Sequence, residues 1–225
     1  MLHPRHGALR KPENAYRALA LFGTARPIKT SFRLLSPTYA LLFLLLVRIL
    51  MGMRVAIVIP QRGFKDESLS IVKEMLDKWH VEPVVASYFS GDCVGYHGAV
   101  IKPDQNAALV KYSDFDALLL IDGPGIDQYK LFDFRTLLDT VKLFNSNGKI
   151  VGAIGNAVKI IARANIVANT RIAAPRDDET KRLAVLFRAI LTDASLEFDR
   201  NVLTTGDPQQ AGRFSIMLLK ELGVE

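Results

Sequence analysis

Residues 148–167, GKIVGAIGNAVKIIARANIV, read as a buried strand that breaks sharply into a helix. KIVGAI is short, apolar and rich in β-branched residues, the pattern of a strand covered on both faces. Gly155-Asn156 interrupts it, and AVKIIARANIV (157–167) resumes with apolar residues at helical spacing. In an α/β enzyme, a tight strand-to-helix turn of this kind is where a nucleophile stands. Here the turn holds Gly155, which has no side-chain atom to react.

Outward from this junction the chain alternates strand and helix. Upstream, MRVAIVIP (53–60), VEPVVASYF (81–89) and DFDALLLIDGPG (114–125) read as three further strands. Between them lies KDESLSIVKEMLDKW, with Leu69, Val72, Leu76 and Trp79 on one helical face. LFDFRTLLDTVKLFNSNG (131–148) reads as an amphipathic helix closed by Gly148, where a left-handed residue costs little. Downstream, RDDETKRLAVLFRAILTDA (176–194) predicts a long amphipathic helix. NVLTTGDPQQAGRFSIMLLKELG (201–223) predicts a strand, a turn at Gly206-Asp207-Pro208 and a closing helix. Such alternation implies right-handed crossovers and an α/β fold: a doubly wound, mostly parallel sheet with helices on both faces. Ligands of such sheets lie beyond the carboxyl ends of the strands, where strand order reverses. Three turns project there, Gln61–Asp66, Gly123–Gln128 and Gly155–Ala157, and a site is expected to be built from them.

The composition narrows the function classes. The 225-residue chain is 49% hydrophobic and carries a formal charge of +6. Residues 1–53 hold eight basic side chains against Glu13 alone, which leaves 21 of the 29 basic and 22 of the 23 acidic groups for residues 54–225. A body so near neutrality has no field with which to grip a phosphate backbone, so nucleic acid is rejected as the main partner. One cysteine, Cys93, excludes an intrachain disulfide framework, and none of the four histidines shows a metal-ligand spacing. Residues 1–52 form a basic and apolar extension ahead of a domain spanning 53–225. Its longest uninterrupted apolar run, Tyr39–Val47, is too short to span a bilayer, and the window 34–53 reaches a spanning length only by including Pro37 and Arg48. The readings left open are translation from Met51 or Met53, a membrane anchor, or organelle targeting, with a cytoplasmic location as the default.

RVAIVIPQRGFKDESL, VVASYFSGDCVGYHGAVIKPD, FDALLLIDGPG, GKIVGAIGNAVKIIARANIV and NVLTTGDPQQAGRF stand in an order that resembles the ThiJ/PfpI superfamily. The resemblance covers residue 53 to the end. It implies the class I glutamine-amidotransferase-like, flavodoxin-like fold and, in most members, an elbow of the form A-x-Cys-His-Gly. Laid on this chain, that elbow puts Gly155 at the cysteine, Asn156 at the histidine and Ala157 at the glycine. The carboxylate that usually hydrogen-bonds the thiol falls on Lys65, or on Asp66 or Glu67 after a one-residue slip. The family's glutamate after its glycine turn aligns with Gln128, and the second glycine of that turn is Pro124, following Gly123. The resemblance also implies a homodimer.

The expectation is therefore a non-catalytic relative, without cofactor or metal, in a small-molecule-binding or stress-related accessory role. A small anionic metabolite would be held at the start of the helix after Gly155, by Gly155, Asn156, Gly123, Lys65 and Gln128. The alternative is a hydrolase or glyoxalase-like enzyme that has relocated its nucleophile to Cys93 or activates water with Asp66 or Glu67. Against it, Cys93 also reads as a half-buried residue in a β-connection, and Asp66 and Glu67 as ordinary first-turn helix acids. A third possibility, the sensor half of a transcription regulator, finds no helix-turn-helix partner in the chain.

Overall fold

The computed structural model of the chain describes residues 52–224. The extension expected over 1–52, with its start-site, anchor and targeting readings, falls outside the described residues except at Gly52. The described chain runs β1 (Met53–Val58), β2 (Arg62–Phe64), α1 (Asp66–Lys78), β3 (Val81–Ser87), β4 (Cys93–Gly95), β5 (Val100–Ile101) and β6 (Gln105–Asn106). Next come β7 (Ala117–Leu120), a one-turn α2 (Gly125–Gln128), α3 (Arg135–Ser146), β8 (Ile150–Ile154) and α4 (Val158–Arg163). β9 (Arg171–Ile172), α5 (Asp178–Leu186), β10 (Ile190–Leu191), β11 (Glu197–Asp199), β12 (Val202–Thr205) and α6 (Ala211–Leu222) follow.

The main sheet has the order β11-β12-β8-β7-β1-β3-β6, and only the β11–β12 pair is antiparallel. The five strands expected from sequence form its centre. From β1 the chain winds outward to β3 and β6, then returns across β1 to β7 and winds the other way. Strand order thus reverses between β1 and β7, which pair from Val55↔Ala117 to Val58↔Leu120. Side chains alternate across the sheet: Ala56 and Val58 enter the core layer under α3 and α4, Val55 and Ile57 the layer under α1 and α6. Leu137, Val141 and Phe144 fill the first layer, and Leu69, Val72, Leu76, Phe214 and Leu218 the second. Two small sheets, β2-β4-β5 and β9-β10, stand apart from the main one.

Three helices are shorter than periodicity implied. The helix expected over 176–194 stops at Leu186, where Arg188 adopts a left-handed φ of 58°. The Ala189 N–H reaches back to the Ala184 carbonyl at 2.8 Å and the Arg188 N–H to Val185 at 3.1 Å, the paired bonds of a Schellman stop. Val185 and Leu186, which prolong the apolar pattern, point to solvent. The helix expected over 157–167 is likewise limited to Val158–Arg163 and closed by Asn165 at φ 55°. That expected over 131–148 starts as a 3-10 turn and becomes α-helical only at Arg135, because Phe134 adopts an extended conformation.

Candidate functional site

The three turns expected to meet do meet. The Lys65 N–H donates to the Asp122 carbonyl at 2.7 Å, joining the loop after β1 to the end of β7. Gly123 has a φ of 145°, and a Cβ there would strike the backbone of Gly63 and Phe64. The close approach of these loops therefore requires glycine.

The elbow itself is occupied. Gly155 directly follows β8 at φ 55°, and a Cβ there would lie 2.5 and 2.6 Å from the two carboxylate oxygens of Asp122. Asp122 is 5% exposed and accepts a hydrogen bond from the Asn156 N–H at 2.8 Å. Burial pushes its pKa up, against the lowering pull of the Asn156 and Gly123 N–H groups and the Lys65 charge, while Asp127 adds to the rise. The space into which a side chain at 155 would project thus holds the protein's own carboxylate. The N–H that sequence reading offered to an external anion is already satisfied, and α4 behind it is only six residues long.

A second group of charges adjoins the first. The Asn156 side-chain amide donates to Asp127 Oδ2 at 2.9 Å. The other Asp127 oxygen accepts from Lys159 Nζ at 2.8 Å, and the same ammonium donates to Glu179 at 3.0 Å and faces Asp177 at 3.7 Å. Lys159 is 4% exposed. Burial disfavours its charge, but the bonds to Asp127 and Glu179 and the field of the acids outweigh that and raise its pKa.

Of the residues singled out from sequence, Gly155, Asn156 and Gly123 lie together around Asp122. Lys65 is half-buried, with its ammonium 5.4 Å from the Tyr96 ring centre and its charge acting on Asp122. Gln128 is exposed on α2. Asp66 accepts from the His97 N–H at 2.8 Å and the Ala99 N–H at 2.7 Å, so it ties the β4–β5 turn to α1. Burial works to raise its pKa, but these bonds prevail and lower it. Glu67 pairs with His97 at 3.2 Å. Cys93 is fully buried, and burial raises its thiol pKa, the opposite of what an activated nucleophile needs. Sequence reading missed Asp122, Asp127 and Lys159. Two of them carried a signal: Asp122 directly follows the uniformly apolar LLLI, and Lys159 interrupts AVKIIA. Among the described residues, no group of three or more His, Cys, Asp or Glu is placed to hold a metal ion, and no helix is long and apolar enough to cross a membrane.

A parallel sheet with its loops converging at the reversal of strand order, and a strand–turn–helix elbow among them, defines a flavodoxin-like α/β protein. The chain belongs to the DJ-1/PfpI family, whose profile matches residues 53–221. It is 29% identical over 172 residues to an uncharacterized protein of Methanocaldococcus jannaschii, covering 75% of this chain and 82% of that one. Among solved structures it is similar to a ThiJ/PfpI domain protein from Brachyspira murdochii, with a TM-score of 0.72, 23% identity, and 77% and 99% of the two chains covered. Drosophila melanogaster DJ-1beta is also similar, with a TM-score of 0.67, 20% identity, and 77% and 92% coverage.

Proposed function

We propose that this DJ-1/PfpI-family protein is a pseudoenzyme: it works by binding a small molecule non-covalently in an accessory, stress-related role, as a cytoplasmic homodimer. The observation that carries the reading is the exchange at the elbow, where Gly155 supplies no reactive atom and the Asp122 carboxylate fills the vacated space. Cys93, buried and with a raised pKa, does not replace the missing thiol. Asp66 and Glu67 are committed to the 97–99 turn. A small anionic metabolite would have to approach by way of Lys65, since the Asn156 N–H is taken. The test is turnover of methylglyoxal and of a generic peptide by the full chain, beside Cys93→Ala and Asp122→Asn. The expected result is no turnover above buffer for any of the three. Turnover abolished by Cys93→Ala or Asp122→Asn would overturn the reading and name the group responsible. Light scattering tests the homodimer, with twice the chain mass expected.

A further inference from the structure

A second feature at the carboxyl edge of the sheet lies outside the elbow and its charges. A cleft of about 200 Å³ opens at the carboxyl ends of β1 and β3. Ile59, Pro60 and Ser87 in its lining are buried, and Tyr129 and Leu131, which also line it, are half-buried. Tyr88 and Phe134 meet edge to face at its side, ring centres 4.6 Å apart, and Phe89 flanks the mouth. Phe89 and Phe134 are 44% and 40% exposed, unusual for two phenylalanines beside one opening. No lining side chain is charged. Apart from the two tyrosine hydroxyls, the polar side chains of the lining are Gln61 and Ser87. The Ser87 hydroxyl accepts from the Phe89 N–H at 3.3 Å. The half-buried Gln61 amide has no hydrogen-bonding partner among the described residues.

We propose that this cleft is a binding site for a small, flat, uncharged aromatic molecule with one hydrogen-bonding group. The proposal goes beyond the non-covalent reading above: it concerns a cleft apart from the elbow, and a ligand class other than the anion considered there. Volume limits what can be inserted, since an apolar cavity of about 150 Å³ accommodates a benzene ring, so about 200 Å³ takes in one substituted or fused ring. Shape and chemistry limit it further. Four aromatic side chains in the lining favour an aromatic guest, and the Gln61 amide offers both a donor and an acceptor to one polar substituent. Charge excludes the remaining classes: a carboxylate or ammonium would be desolvated among Ile59, Leu131 and four aromatic rings with no counter-charge in the lining.

The experiment is titration of the full chain with indole and 4-cresol as neutral probes, toluene as a probe without a polar group, and benzoate as the charged one, followed by amide NMR. Indole and 4-cresol are expected to bind saturably and to shift amides within 59–61, 87–89 and 129–134, with benzoate at least about tenfold weaker. Phe134→Ala, at a half-exposed position, is expected to weaken all neutral probes. Gln61→Leu should weaken 4-cresol and spare toluene, a discrimination that mere loss of packing would not produce. Absence of saturable binding, shifts confined to other residues, or benzoate binding as tightly as 4-cresol would each overturn the proposal. If the cleft binds as expected but methylglyoxal is consumed, the non-catalytic reading fails and the cleft stands. If neither occurs, the cleft fails and the elbow reading stands.

Discussion

At position 155 two constraints coincide: a left-handed backbone, and an aspartate carboxylate where a Cβ would go. Restoring a thiol there meets both. Gly155→Cys is expected to lower stability by about 3 kcal/mol, combining the left-handed penalty with overpacking of a closed site. Combining it with Asp122→Ala should recover part of that loss, a favourable coupling of roughly 1–2 kcal/mol in a denaturant double-mutant cycle. Additive losses would mean that Asp122 and position 155 do not compete for the same space. At this scale the lack of a reactive side chain at 155 was legible, because an absent atom is a property of the residue alone. What replaced it was not, because Asp122 lies 33 positions upstream and reaches the elbow only through the β7–β8 pairing.

Lys159 acts between elements. From α4 it binds Asp127 on α2, Glu179 on α5 and, more distantly, Asp177 at the α5 N-cap, where Asp177 also accepts from the Thr180 N–H at 2.9 Å. Removing the ammonium leaves three carboxylates converging without a counter-charge. Full burial of such a group would make the loss larger, but the acids are 38–49% exposed and can rehydrate. Lys159→Ala is therefore expected to cost about 2 kcal/mol, read as a lower urea midpoint, with hydrogen exchange rising first in α2 and the start of α5. Unchanged exchange there would show that the lysine does not join these elements. Helix and strand identities were legible because periodicity is local. Helix ends were less so: Arg188 and Asn165 take left-handed stops that sequence rules reserve mostly for glycine, and the reach of a Schellman bond is decided by what packs against the last turn.

Across the whole molecule the titrating groups oppose one another. Asp122 has its folded pKa raised, so its contribution is fully present below the usual carboxylate value of 3.8 and is lost as pH rises through the raised value. Asp66 and Asp177 have folded pKa values lowered, so their contributions hold above 3.8 and are lost as pH falls through the lowered ones. Between about pH 4 and about pH 8 the Asp122 slope should therefore stand alone, and urea midpoints should fall as pH rises in wild type and flatten in Asp122→Asn. Equal slopes in the two proteins would show that Asp122 titrates normally. By itself the sequence determined the doubly wound sheet, the three turns at its switch point and the absence of a reactive side chain at Gly155. Each of these follows from local apolar periodicity or from the chemistry of a single residue. Only the tertiary structure decided that Asp122 fills the elbow, that Lys159 gathers three acids, and that an uncharged aromatic cleft opens beside them. Those are contacts between distant segments, fixed by how strands pair and helices pack rather than by any local pattern of residues.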